Sequence, residues 1–290
     1  MFTGSLVAIV TPFDLNGEVD YKVLRDLVDF QLDNGTDGIV PVGTTGESPT
    51  LSHEEHGKVI KAVVEQAAGR VPVIAGTGSN ATREAIELTR YAREVGVDGV
   101  LQVNPYYNKP TQEGLYQHFK AVAEAVDIPV VLYNIPGRCA VAMDGETITR
   151  LSEIGNIVAI KEATGSLDLA SEIAMNTDLT ILSGDDSITL PLASVGGKGV
   201  VSVAANIVPQ DVKALTDAIL AGDYAAAKVL HQKLFGLCKA MLGLSTNPIP
   251  IKAAMAMKGM CLEDVRLPMT ILTESQKETL REVLTNCGVL

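Results

Sequence analysis

Residues 157–165 read IVAIKEATG. Four consecutive apolar residues without polar alternation fit a strand covered on both faces, as in a parallel sheet flanked by helices. The run ends abruptly at Lys161. Outward from it lie seven more short runs rich in Val and Ile: SLVAIV (5–10), GIVPV (38–42), VPVIAG (71–76), GVLQV (99–103), PVVLY (129–133), LTILS (179–183) and GVVSV (199–203). Helical stretches separate them. Ser52 followed by Glu55 has capping-box spacing, and Gly96 stops the TREAIELTRYAREV run. Eight strand–helix repeats predict an α/β fold, a (β/α)8 TIM barrel over residues 1–222. An open doubly wound sheet usually has fewer strands and favours a G-x-G-x-x-G turn after its first strand, where this sequence has none. Beyond residue 222 the segments AAAKVLHQKLFGLCKAML, PIKAAMAMKGM and TESQKETLREVLTNCG predict a C-terminal helical region over 223–290.

The chain has 290 residues, 47% of them hydrophobic, enough for a large core. A net charge of −12 and no basic run argue against a nucleic-acid surface. No stretch approaches the roughly 20 apolar residues of a membrane span. The opening MFTGSLVAIVTPFD carries no basic leader, which predicts a cytoplasmic protein. Cys139, Cys238, Cys261 and Cys287 are scattered without a C-x-x-C pair, so neither a disulfide framework nor a zinc site is expected.

Barrel enzymes carry their chemistry at the carboxyl ends of the strands. In this sequence those ends offer Thr44 and Thr45 in GTTGES, Tyr106 and Tyr107 in NPYYNKP, and Tyr133 leading into NIPGR with Arg138. Lys161 follows, then Asp185 and Asp186 in GDD, and Ser202. The histidines His53, His56, His118 and His231 all read as helical, which argues against histidine acid–base catalysis and a histidine metal site. Asp185 and Asp186 lack a third evident ligand and are read as helix caps; no metal is expected. Gly196, Gly197 and Gly199 precede their strand, so they are read as a tight turn and not a phosphate cradle.

A lysine at the mouth of an apolar barrel loses hydration, which favours the neutral amine. A neutral amine attacks carbonyls, and the resulting protonated imine draws electrons from the neighbouring carbon. A bland alternative is that Lys161 snorkels to water or pairs with Glu162. Against it, Lys161 is the only lysine directly capping one of the eight strands. Tyr133 caps the neighbouring strand, where a phenol could relay protons. Gly43–Glu47 could be a plain turn, or a turn whose hydroxyls and N–H groups approach a carboxylate. Arg138 suits a bidentate carboxylate contact.

The motifs GTTGES (43–48), YNIPGR (133–138), IKEATG (160–165) and LSGDD (182–186) resemble those of the pyruvate-dependent class I lyases related to N-acetylneuraminate lyase, and among them the dihydrodipicolinate synthases. The resemblance extends from GSLVAIVTPF through PYYNKPTQEGLYQHF to NPIPIK (247–252) and RLPMT (266–270), essentially the whole chain. It implies a Schiff base between Lys161 and pyruvate, and a proton relay of Thr44, Tyr133 and Tyr107, the last contributed by a neighbouring subunit. Thr45 would hold the pyruvate carboxylate and Arg138 that of L-aspartate 4-semialdehyde, with Gly184 and Val201 lining the pyruvate pocket. The product would be 4-hydroxy-tetrahydrodipicolinate, on the route to diaminopimelate and lysine, formed without cofactor by a homotetramer built from tight dimers. The same resemblance implies an L-lysine effector site at the dimer interface, formed by Ser48, His53, His56, Asn80, Glu84 and Tyr106, with Pro49 at its rim. His53 and His56 could equally be surface residues of one helix. Alternative readings are another aldolase of the superfamily, acting on N-acetylneuraminate or a 2-keto-3-deoxy sugar acid, a hydratase-aldolase, or a barrel that has become a binding protein. Arg138 argues against a sugar-acid lyase.

Overall fold

The computed structural model describes all residues from 1 to 290. Eight strands follow one another as β1 (Gly4–Ala8), β2 (Gly38–Val40), β3 (Ile74–Gly76), β4 (Gly99–Val103), β5 (Val130–Asn134), β6 (Ile157–Glu162), β7 (Thr180–Ser183) and β8 (Gly199–Ser202). Between them run α1 (Tyr21–Asp33), α2 (His53–Ala67), α3 (Thr82–Glu94) and α4 (Gln112–Ala125), then the short α5 (Pro136–Cys139) with α6 (Gly145–Ser152), then α7 (Leu167–Asn176) and α8 (Thr189–Ala193). The chain continues as α9 (Pro209–Leu220), α10 (Tyr224–Gly243), α11 (Ile249–Met257) and α12 (Glu274–Asn286). No helix is long and apolar enough to cross a membrane.

All strand pairs are parallel, in the order β2-β1-β8-β7-β6-β5-β4-β3. The remaining seam joins β2 to β3 through an Ile39–Val73 bridge, with Ile39 N donating to Pro72 O and Gly76 N to Pro41 O, both at 3.0 Å. The result is a nearly closed TIM barrel. At the seam between first and last strands, Gly199 packs against the Gly4 backbone so closely that a Cβ there would overlap it.

Two apolar layers hold the barrel. Alternate strand side chains, among them Leu6, Ala8, Val40, Ile74, Leu101, Val131, Ala159, Leu182 and Val201, fill its interior. The opposite faces join the helices in one outer core that also takes in Leu237, Met241, Ile251, Met255, Leu280 and Leu284 of α10, α11 and α12. The C-terminal helices therefore share the barrel's own outer core. The predicted capping box forms, with Ser52 N donating to Glu55 Oε2 (2.8 Å) and Glu55 N to Ser52 Oγ (3.2 Å). Gly96 turns the chain after α3 with φ +90°. Two strands are shorter than the sequence suggests by two residues or more. β2 ends before Pro41, which has no N–H to donate, and Val42 takes φ +48°, while β3 begins only after Pro72.

Candidate active site

β5 and β6 lie side by side with Tyr133 opposite Lys161, and both side chains face the barrel interior because they share the alternation of Val131 and Ala159. Lys161 is 6% exposed, and its Nζ stands 4.2 Å from the Tyr133 ring centroid. Burial pulls the lysine down to about 8, with the Asp186 carboxylate opposing and the Arg138 guanidinium adding to the shift. Burial pushes the Tyr133 phenol up to about 12, opposed by the Arg138 charge and the Thr44 hydroxyl. Neither bland reading of Lys161 survives. At 6% exposure it is not snorkelled out to solvent, and it does not pair with Glu162, which as the next strand residue faces outward. Glu162 instead accepts from Thr164 N (2.5 Å) and from the Thr164 hydroxyl.

Gly184 follows β7, and a Cβ there would stand 3.2 Å from Lys161 Cε and closer still to the Ala163 methyl. A side chain there would have to displace Ala163 and crowd the lysine. Val201 of β8 lies in the interior layer with Tyr133. The two aspartates behave differently from one another. Asp185 caps the 3₁₀ turn Asp186–Ile188 by accepting from Ser187 N at 2.8 Å, as read from the sequence. Asp186 does not cap its own helix; it turns across to β8, accepting from the Ser202 hydroxyl, Val203 N (2.8 Å) and Ala204 N (3.2 Å).

The turn after β2 presents Thr44 half-buried and Thr45 at 3% exposure. Asn247 Nδ2 donates to Thr45 Oγ1 at 2.9 Å, and the Asn247 carbonyl accepts from Arg138 Nη2 at 3.4 Å. Arg138 rides on the four-residue α5, exposed at the rim. Tyr107 is different: with φ +73° it projects from its loop 90% exposed, packed against nothing in its own chain.

A second polar group lies near α2 and α3. His53 Nε2 meets Glu84 Oε1 at 2.9 Å, Ser79 Oγ also bonds Glu84, and Asn80 Nδ2 donates to Tyr106 O at 3.2 Å. Ser48 opens the 3₁₀ turn leading toward α2. His56 is no surface residue. It is 4% exposed, burial lowers it to about 4, and its Nδ1 has no partner. The α2 face carrying His56, Val59, Ile60 and Val63 is turned inward, whereas His53, three residues earlier, is exposed.

The profile of the Dihydrodipicolinate synthetase family matches residues 1–287. The chain belongs to this family. It is 55% identical over 292 residues to the 4-hydroxy-tetrahydrodipicolinate synthase of Syntrophus aciditrophicus, covering 100% of both chains. Among solved structures of the family, the chloride-inhibited dihydrodipicolinate synthase of Acinetobacter baumannii complexed with pyruvate superposes with TM-score 0.97 at 47% identity, covering 100% of both chains. The synthase of Cyanidioschyzon merolae with lysine bound gives 0.96 at 43%, covering 100% of this chain and 99% of that one.

Some of the site's supporting residues were not singled out from the sequence. Glu47 and Lys252, Asn247, Arg266, and Asp186 as a neighbour of Lys161 are the main ones. The signal for Lys252 was available: it is a lone charge in the apolar run IPIKAAMAM.

Proposed function

We propose that the chain is a 4-hydroxy-tetrahydrodipicolinate synthase of the cytoplasm, condensing pyruvate with L-aspartate 4-semialdehyde through a Schiff base at Lys161. The observation that carries this is a buried amine, lowered to about 8, lying 4.2 Å over a buried phenol ring inside a barrel of this family. The neutral Lys161 amine adds to C2 of pyruvate, and the carbinolamine expels water to give the iminium. Loss of a C3 proton yields the enamine, whose C3 attacks the aldehyde carbon of the second substrate. The amino group of that substrate then displaces Lys161 from C2, closing the ring and returning the free amine. One water leaves overall.

Tyr133, kept protonated by burial, donates to the carbinolamine oxygen and passes protons through Thr44. Tyr107, extended into solvent by its own chain, completes the relay in a partner subunit of a tight dimer, two of which form the homotetramer. Thr45 and the turn's N–H groups bind the pyruvate carboxylate, while Gly184 and Val201 bound its pocket. Arg138 holds the semialdehyde carboxylate at the rim. Replacing it with leucine is expected to lower kcat/KM for the semialdehyde about 10- to 100-fold, the worth of a charge-assisted contact. Borohydride fixation of pyruvate on Lys161 should persist in that variant, and its loss would refute the division of roles.

L-Lysine is the effector in this reading. Glu84 receives its α-amino group, Asn80 and Tyr106 its carboxylate, and His53 with the unpartnered Nδ1 of His56 its ε-amino end, with Ser48 alongside. Activity titrated with L-lysine should fall in the millimolar range or below. Glu84→Gln is expected to raise the inhibitory concentration about 10-fold or more; a flat wild-type titration would remove the site.

A further inference from the structure

The most deeply buried ionic contact lies outside the Lys161 group. Glu47 and Lys252 are both 0% exposed, with Nζ to Oε1 at 2.7 Å. Glu47 ends the turn that carries Thr44 and Thr45, closing it in the left-handed region (φ +55°), with its N–H bonded to Thr44 O at 3.1 Å. Its second oxygen accepts from Arg266 N at 3.0 Å. Arg266 bonds in turn to Gly17 O (2.8 Å), Thr50 O (3.0 Å) and Glu55. Phe13 lies beneath both cations, its ring centroid 4.2 Å from Lys252 Nζ and 4.5 Å from the Arg266 guanidinium carbon. Thr11 Oγ1 donates to Gly46 O at 2.7 Å, and Asn247, just ahead of α11, holds Thr45.

A buried ion pair is weak support for stability, because desolvating two charges offsets much of their attraction. What such a pair does supply is direction: a carboxylate fixed by two donors cannot rotate or drift. We propose that the Glu47–Lys252 pair, locked by Arg266, is the positioning element of the Thr44 and Thr45 hydroxyls, so that α11 sets where the proton relay and the pyruvate carboxylate meet. This rests on the catalytic assignment of Lys161 above. Displacement of a positioning element by an ångström lowers turnover by as much as about a hundredfold without touching the reacting atoms.

The test compares Lys252→Met, Glu47→Gln and the double Glu47→Gln/Lys252→Met in the full-length protein. Turnover is normalised to the fraction of chain that borohydride fixes with pyruvate, and KM for pyruvate is measured alongside. Each single variant is expected to lose tenfold to a hundredfold in kcat per fixed site and to raise KM for pyruvate. The double variant, free of an unpaired buried charge, should regain melting temperature without regaining turnover. Recovery of both together, or wild-type kinetics per fixed site in a variant that is only less stable, would overturn the proposal. If the singles fail to fold, Glu47→Asp, which keeps both charges and withdraws the carboxylate by one methylene, faces the same criteria. Failure of the wild-type chain to fix pyruvate would instead overturn the catalytic reading itself.

Discussion

Lys161→Met is expected to lower turnover by on the order of a thousandfold or more, because removing a covalent nucleophile removes the pathway and not one contact along it. Borohydride with pyruvate should add mass to the wild-type chain at Lys161 and none to the variant; an adduct in the variant would place the imine elsewhere. The same substitution should make the protein more stable at neutral pH. An amine lowered from 10.5 to about 8 resists protonation in the folded state and accepts it freely when unfolded. The penalty is fully present below about pH 8, shrinks as pH rises and is gone above the unfolded value, so the variant gains on the order of 3 kcal/mol at pH 7 and nothing above about pH 10.5. Thermal unfolding at the two pH values checks it. In the wild type, the rate of imine fixation should climb as pH rises through about 8 and then level off, since only the neutral amine attacks.

Tyr133→Phe is expected to lower kcat by about 10²- to 10⁴-fold, the usual worth of a positioned proton donor. The ring that lies 4.2 Å beneath Lys161 remains, so packing around the lysine is kept and only the hydroxyl is lost. KM for both substrates should change little, because the phenol serves steps in which charge moves and not ground-state binding. A phenol pushed up to about 12 is a donor and relay, not a free base. The wild-type rate should therefore show no ionisation limb from tyrosine below about pH 10. If Tyr133→Phe turned over at the wild-type rate, Thr44 and Tyr107 would have to carry the protons without it.

The barrel was legible because buried parallel strands are apolar without interruption, and eight such runs separated by capped helices admit few other architectures. Lys161 was legible for the same reason: a charge ending an apolar run needs an explanation. The strand shortening around Pro41 and Pro72 reflects missing N–H groups at the seam between β2 and β3, where only a bridge and flanking hydrogen bonds close the barrel. His56 could not be placed from its spacing alone, since i and i+3 positions share a helix face only approximately and α2 turns His56 inward while leaving His53 in solvent. Asp186 looked like a cap because it begins a turn, yet its oxygens accept from Ser202 at the end of β8 and from the N–H groups of Val203 and Ala204 just beyond it. The Glu47–Lys252 contact spans 205 positions, and no local pattern encodes which two distant charges meet.

That span also sets an order of events in time. A ribosome adding about 5–20 residues per second delivers Lys252 roughly 10 to 40 s after Glu47. During that interval the six strands β3 to β8 are made while the turn between β2 and α2 still lacks its counter-ion. A fragment ending after α10 at Gly243 contains Lys161, Tyr133 and every strand but lacks the α11 and α12 side chains of the outer core, and is expected to fix pyruvate far less efficiently than the whole chain; labelling at the full-length level would show that the turn matures alone. The carboxylate that closes the turn therefore acquires both of its fixed donors, Lys252 and Arg266, only once the last sixth of the chain has been made and folded back.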